Sequence, residues 1–340
     1  MDSRFEGIER KCLASLLNIG YDDHTKPAEP FNVIIRGEGE IVGGGENLLF
    51  DTLGIDGETE DKRNKLKQYQ NNLYETNDER YRGRGRLINI SNAKNVIIDG
   101  LTLGFSSAWN VHMIYSENVI TCGCKIVSGG IWNGDGWDPD SSENCSIFDC
   151  EFDTGDDCIA IKSGKNPEGN IIGRPTEKIN IFSCIIKKGR SHGIAIGSEV
   201  SGGIKGVKIW DCDFSASFFG IHIKTTAKRG GYIKDVEVKD SKISRIMIRK
   251  VGYNDDGEDG GELTEISGLK FKNLKIEYNS GDPNFGKEAD SYVYIDGFEK
   301  DKKKVKDIRF DNIEIDNKED LKEYDVRNCS DIIIDGKTIT

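Results

Sequence analysis

The stretch NVIIDGLTL (Asn95–Leu103) has the pattern that decides the fold. A short run of β-branched residues is followed by an Asp-Gly turn and by a second short apolar segment. Two strands around a tight polar turn explain this pattern, because β-branched residues favour strands and no helical stripe of period 3.6 is present. The pattern recurs along the chain, which predicts an all-β architecture built from repeats.

Eight later copies share two short strands around a polar turn: NVITCGCKI (Asn118–Ile126), NCSIFDCEF (Asn144–Phe152), KINIFSCII (Lys178–Ile186), GVKIWDCDF (Gly206–Phe214), DVEVKDSKI (Asp235–Ile243), GLKFKNLKI (Gly268–Ile276), DIRFDNIEI (Asp307–Ile315) and DIIIDGKTI (Asp331–Ile339). Successive copies begin roughly 23 to 39 residues apart, the range of solenoid coils. The sequence therefore predicts a parallel β-solenoid over residues 1–340 as one domain. A polar inserted loop that could include a short helix is expected at about residues 56–86, and no N-terminal cap is evident.

Two ladders follow from aligning the copies. One is formed by Cys124, Cys150, Cys184 and Cys212, and the other by Asn95, Asn118 and Asn144. Stacked coils place these cysteines in a line, whereas zinc needs a tetrahedron of ligands, so we predict a ladder of buried thiols. The asparagines predict a ladder of turns, since Asn tolerates a left-handed backbone.

Composition excludes several classes of protein. The 340 residues include 59 acidic and 47 basic side chains, a net charge of -12. Such an acidic chain is a poor non-specific ligand for nucleic acid, and no apolar run approaches the length of a membrane span. The start MDSRFEGIER lacks the apolar region of a signal peptide, and nine cysteines are present. We therefore expect free thiols and a cytoplasmic protein, or a secreted one if the N terminus is truncated.

Four segments end in similar strands and carry most of the reactive side chains: WNGDGWDPDS (Trp132–Ser141), DTGDDCIAIKSG (Asp153–Gly164), GRSHGIAIGSE (Gly189–Glu199) and IHIKTTAKRGG (Ile221–Gly231). Aligning the strand ends puts Asp135, Asp157 and His192 in one register, with Asp156 beside them. Equivalent positions of neighbouring coils lie about 4.8 Å apart. We therefore expect these side chains to share one face of the solenoid.

Gathered carboxylates repel each other, which raises one pKa and leaves another group ionised. Glycoside hydrolysis needs such a pair, one protonated acid and one carboxylate. A calcium site and a solvated acidic loop are the alternatives, because the segment around Asp135 is rich in oxygen ligands. The nearby His192 and Lys224 favour catalysis, since a calcium site does not recruit cations. We expect no metal and no cofactor.

At these residues the sequence resembles glycoside hydrolase family 28, the polygalacturonase family. Its four motifs, commonly written NTD, GDD, GHG and RIK, occur in order as Asn133-Gly134-Asp135, Gly155-Asp156-Asp157, Ser191-His192-Gly193 and His222-Ile223-Lys224. The resemblance extends from about Ser3 to Thr340. It implies a right-handed parallel β-helix, hydrolysis of α-linked galacturonan in pectic polysaccharides or oligosaccharides, and inversion of the anomeric configuration.

The resemblance also implies roles for single residues. Asp156 would be the general acid, and Asp135 and Asp157 would hold the attacking water as general base. His192 would tune the protonation of the acid. Lys224 would bind a carboxylate of the substrate.

Further substrate contacts are predicted at Asn133 of the first motif and at Tyr253, which matches a family tyrosine beyond the fourth motif. Trp109 is a candidate for stacking on a sugar face, with packing as the alternative. His222 replaces the family arginine and lacks its permanent charge and bidentate fork. Arg229 is a candidate replacement. The change also leaves rhamnogalacturonan and xylogalacturonan open as substrates.

Two other functions fit parts of the pattern. A pectate-lyase-like β-helix would need calcium and a cationic base, which the aspartates with His192 do not resemble. A non-catalytic pectin-binding β-helix is the other alternative, because the motif arginine is lost.

Overall fold

The computed structural model describes residues 2–5, 7–76, 83–189, 192–253, 257–277, 290–316 and 321–340. Their strands stack coil upon coil in parallel, as in the pairing of Val96 with Val119 and of Val207 with Val236. The fold is a right-handed parallel β-helix, as the repeats and the family resemblance predict.

Two long sheets and a hairpin contain all the described strands. The antiparallel hairpin consists of β1 (Asp2–Phe5) and β2 (Ile8–Lys11). The ten-stranded sheet consists of β3 (Leu17–Gly20), β6 (Ile88–Ser91), β9 (Val111–Ile114), β12 (Trp137–Asp140), β15 (Ile159–Ile161), β18 (His192–Ile196), β21 (Phe219–Thr225), β23 (Ile246–Lys250), β25 (Ser291–Asp296) and β27 (Lys322–Arg327).

The seventeen-stranded sheet consists of β4 (Glu29–Arg36), β5 (Glu40–Val42), β7 (Ala93–Asp99), β8 (Thr102–Gly104), β10 (Glu117–Cys122), β11 (Lys125–Val127), β13 (Ser146–Phe148), β14 (Glu151–Thr154), β16 (Thr176–Phe182), β17 (Ile185–Gly189), β19 (Ile204–Trp210), β20 (Asp213–Phe214), β22 (Tyr232–Ile243), β24 (Glu265–Glu277), β26 (Lys306–Asp316), β28 (Ser330–Ile334) and β29 (Lys337–Thr338). The nine copies found in the sequence all lie in this sheet. The core between the two long sheets is filled by their inward-facing Ile, Val and Phe side chains.

A tenth copy of the repeat, NVIIRGEGEIV at residues 32–42, was not among the copies predicted from the sequence. Val33 pairs with Val96, and Ile41 pairs with Leu103, so this segment forms the coil before the first predicted one. One extra residue in its turn displaces the second strand and hides the repeat. Ile34 pairs with Ile97 on the outward face of the sheet and is 58% exposed.

Both predicted ladders are present. Asn118 has a φ of 56°, donates to Asn95 over 3.0 Å and accepts from Asn144 over 2.7 Å. None of the nine cysteines forms a disulfide bond, and the four of the predicted ladder are buried. The described residues include no group of three or more His, Cys, Asp or Glu side chains suited to a metal ion.

The helices are α1 (Gly45–Leu53), α2 (Thr59–Thr76) and α3 (Glu168–Ile172), with a 3-10 turn at Lys302–Lys304. The predicted loop at 56–86 is thus largely the 18-residue helix α2, while residues 77–82 lie outside the description. Lys, Arg, Glu and Gln favour this helix through their propensity, and its first turn is acidic, so no long apolar stripe revealed it. None of the helices described is long and apolar enough to cross a membrane.

Candidate active site

The register of the ten-stranded sheet brings the predicted catalytic residues together. Strand β12 pairs with β15 through Trp137 and Ile159, and β15 pairs with β18 through Ile159 and Ile194. Asp135, Asp157 and His192 each precede one of these positions by two residues, so they stack on three successive coils.

The Asp157 carboxylate is the electrostatic centre of the site. Its Oδ1 contacts Nδ1 of His192 at short range, and its Oδ2 accepts a hydrogen bond from Nζ of Lys224 over 3.2 Å. Burial alone would raise the pKa of this group, but Lys224 and His192 outweigh it and hold the pKa well below the ordinary value. Asp157 is therefore ionised at working pH.

Two histidines form a directed chain that ends on Asp157. Nε of Arg249 donates to Nε2 of His222 over 3.3 Å, because a guanidinium has no acceptor. The proton of neutral His222 is then on Nδ1, which donates to Nε2 of His192 over 3.1 Å. His192 in turn donates from Nδ1 to Asp157. Burial, with the neighbouring positive groups, lowers the pKa of His222 well below its ordinary value, in agreement with a neutral ring.

The structure places His222 behind His192 rather than at the surface, and its contact with the substrate stays a prediction. Its side chain is fully buried between His192 and Arg249, and it acts on the ring of His192.

Asp156 is the half-buried carboxyl of the group. Its Oδ1 accepts from the backbone N–H of Asp157 over 3.0 Å, and its Oδ2 lies 3.5 Å from Nδ2 of Asn133. Burial and the negative charge of Asp157 raise its pKa. The preceding Gly155 is required, because a Cβ there would lie 2.1 Å from the carbonyl oxygen of Ile131.

Asn133 is positioned by Arg84, which belongs to none of the sequence motifs. The buried Arg84 donates from Nη2 to Oδ1 of Asn133 over 2.7 Å and from Nη1 to two carbonyl oxygens, of Ser107 and Trp132. This anchoring turns the Asn133 amide nitrogen toward Asp156.

The buried ammonium group of Lys162 pairs with Asp135. Nζ of Lys162 lies 3.1 Å from Oδ2 of Asp135 and 3.9 Å from Oδ1 of Asp138, and all three residues are buried. Burial raises the pKa of Asp135 to about 8 although Lys162 opposes the rise, and burial also raises the pKa of Asp138 well above its ordinary value. Two buried carboxyls thus share one cation, so a proton stays in this group at neutral pH.

The side of the site toward the N terminus is closed. Trp109, on the coil before Asp135, is only 2% exposed, and its ring stacks on Phe5 of the hairpin at 4.5 Å. Its other neighbours include Nζ of Lys162, 4.7 Å from the ring. The hairpin covers the ring, which agrees with the packing alternative, and stacking of Trp109 on a sugar stays a prediction.

The two remaining candidates, Arg229 and Tyr253, differ in their exposure to solvent. Arg229 is fully buried, donates from Nε to the carbonyl oxygen of Ser198 over 2.9 Å and contacts Asn166, so it does not replace the motif arginine. Tyr253 is 40% exposed just beyond β23, and its phenol is close enough to raise the pKa of Lys224. Ser191 of the third motif lies outside the described residues.

Comparison with known proteins agrees with this geometry. The model of the family "Glycosyl hydrolases family 28" matches residues 35–339. The chain belongs to glycosyl hydrolase family 28. A probable polygalacturonase of Vitis vinifera is 41% identical over 201 residues, which cover 57% of this chain and 41% of that protein. The chain thus spans less than half the length of this plant family 28 relative.

Two solved structures extend the family 28 likeness over nearly the whole chain. A hyperthermoactive exopolygalacturonase from Thermotoga maritima is 27% identical, with a TM-score of 0.71, covering 100% of this chain and 76% of that one. A family 28 exopolygalacturonase from Yersinia enterocolitica shares the fold, with a TM-score of 0.73 at 18% identity, covering 98% of this chain and 64% of that one.

Against the family 28 motifs, three residues add to the predicted set: Arg84, Lys162 and Arg249. Lys162 and Lys224 each stand one residue before the aligned strand-end residues, Ser163 and Thr225. This shared register is a signal in the sequence that identifies Lys162. Arg249 repeats that position again in IMIRK after IHIKT. Arg84 carried no signal, because the segment around it has no counterpart in the repeats.

Proposed function

We propose that this chain hydrolyses α-glycosidic bonds of galacturonate-containing pectic polysaccharides or oligosaccharides with inversion. One observation carries the proposal: Asp156, whose pKa is raised, lies beside Asp157, whose carboxylate is kept ionised by Lys224 and His192. One group that keeps its proton next to one that does not is the requirement for acid and base catalysis on a glycoside.

In this mechanism Asp156 donates its proton to the leaving glycosidic oxygen as the bond to the anomeric carbon breaks. Asp157, together with Asp135, orients a water molecule and removes its proton as the water oxygen bonds to the anomeric carbon. The chain through His222 and His192 sustains negative charge on Asp157, whereas Asp135, which pairs with Lys162 and has a raised pKa, helps to orient the water through its carboxyl. Lys224 binds a substrate carboxylate. The products are a new reducing end and a new non-reducing end.

The test is release of reducing ends from homogalacturonan, rhamnogalacturonan and xylogalacturonan, with the first anomer formed followed by NMR. Release from homogalacturonan as the inverted anomer supports the proposal. Release only from rhamnogalacturonan or xylogalacturonan would show that the substrate is one of these pectic polymers rather than homogalacturonan. Tight binding of oligosaccharides with no release from any of them would establish the non-catalytic alternative. A new double bond, lost on chelation, would establish a lyase.

The closed side of the site favours cleavage near a chain end. Asp138, on the coil of Asp135, and Asn89 and His112, on the two coils before it, face outward and are at most 1% exposed, and the hairpin lies over Trp109 beside them. A polymer therefore has no surface to follow in that direction. An exopolygalacturonase is among the structural relatives. Early products of one or two sugars from long galacturonan would agree with end cleavage, whereas a ladder of intermediate sizes would exclude it.

A further inference from the structure

Arg249 stands next to Lys224 on the following coil. Strand β21 pairs with β23 so that Lys224 is opposite Arg249, while His222 is opposite Met247. Paired residues of adjacent strands lie about 4.8 Å apart and point to the same side of the sheet. Arg249 is half-buried and Lys224 is buried, so the guanidinium is the more accessible of the two cations.

The imidazole that replaces the motif arginine also anchors Arg249. Nε of Arg249 donates to Nε2 of His222 over 3.3 Å. This bond uses one of the five N–H donors of a guanidinium. This hydrogen bond holds the guanidinium plane beside His222, which stands at the position of the motif arginine. The guanidinium itself belongs to the next coil.

Charge balance argues for a second cation at this place. Lys224 pairs with Asp157 over 3.2 Å, so the positive charge of Lys224 is largely matched within the protein. A carboxylate of the substrate needs an additional positive group.

We propose that Arg249, with Lys224, binds the carboxylate of a galacturonate unit and replaces the missing motif arginine from the neighbouring coil. The inference rests on the proposed function for the identity of the sugar. An arginine fork accepts a carboxylate through two parallel hydrogen bonds, which gives a preference for the free acid over its methyl ester.

The experiment measures binding of trigalacturonate and of its methyl ester by calorimetry, with Asp156→Asn present throughout so that nothing is hydrolysed. Adding Arg249→Gln should weaken binding of the acid roughly 10- to 100-fold, the range of a lost charged hydrogen bond. Binding of the ester should change less than about 2-fold. The matched control is Lys250→Gln, an exposed cation on the same strand, which should leave both affinities unchanged.

An equal loss for acid and ester would overturn the inference, because it would mean that Arg249 only supports His222. An unchanged affinity for the acid would also overturn it, as would a parent that binds no acid. Arg249→Lys should restore part of the preference for the acid. Hydrolysis by the wild-type chain is scored separately. A protein that binds the acid through Arg249 but releases no reducing ends disproves the proposed function and supports this inference.

Discussion

The two long sheets bury their residues in different patterns. In the seventeen-stranded sheet, strands such as β16 alternate between buried and more exposed positions, with one face on the core and one toward solvent. In the ten-stranded sheet, β9, β12 and β21 bury every residue. The outer face of that second sheet holds buried polar groups such as Asp138 and His222, which cost stability unless they are paired. One sheet therefore supplies stability, and the outer face of the other supplies chemistry.

The sharpest test of this division is Asp156→Asn. Loss of the general acid should lower kcat by about three orders of magnitude or more, since proton transfer typically contributes 10²–10⁴ and the neighbouring charge balance also changes. The melting temperature should stay within about 2 °C of the parent. Near-normal turnover would disprove the role of Asp156, and a large fall in melting temperature would break the division itself.

Ile181→Ala tests the other sheet. Ile181 is fully buried and pairs with Ile147 and Ile209 of the adjacent coils. Removing its side chain should lower the free energy of unfolding by about 2–5 kcal/mol through the lost transfer energy and the cavity. Denaturant unfolding measures this loss. The kcat of the folded fraction should not change, and a matching fall in kcat would show that the two sheets are not separable.

Lys224→Met tests the electrostatics at the centre of the site. The pKa of Asp157 is depressed in the parent, so the base is lost only at low pH. Without the ammonium that pKa rises, and the acid limb of kcat at saturating substrate should move toward neutral by on the order of one pH unit. A pH–rate profile with an unmoved acid limb would remove Asp157 as the base.

The stability of Asp135→Asn relative to the parent should increase as pH rises. The native state keeps the proton of Asp135 up to about pH 8, whereas an unfolded carboxyl loses it near pH 4, so the parent loses stability across that window. Asparagine has no such dependence. The melting temperature of the variant relative to the parent should therefore be higher at pH 8 than at pH 5, by on the order of a few °C. The opposite trend would mean that Asp135 is ionised in the native state.

The smallest effect belongs to the exposed turns of the seventeen-stranded sheet. Asn118→Ala removes two ladder hydrogen bonds and places alanine at a φ of 56°. We expect a loss of about 1–2 kcal/mol in the free energy of unfolding, with activity unchanged. Denaturant titration with an activity assay checks both. A loss of activity would show that these turns influence the site.

Much of this architecture was predictable because the repeat is local. Alternating apolar residues and turn asparagines identify the coils, and the coil register brings Asp135, Asp157 and His192 together. Other features were not predictable because they depend on side chains reaching across several coils. Covering of Trp109 by Phe5 depends on where the hairpin docks, and helix α2 depends on propensity without an apolar stripe.

The contacts of the hairpin also bear on the order in which parts of the chain fold. Each coil needs only the coil beside it, so the solenoid can grow by short loop closures. Arg4, in contrast, contacts Asp140 across 136 residues of sequence and Glu168 across 164. Such distant contacts pay a larger closure entropy and form late. We therefore expect the wall that closes the site to form after the coils that carry Asp135 and Asp157.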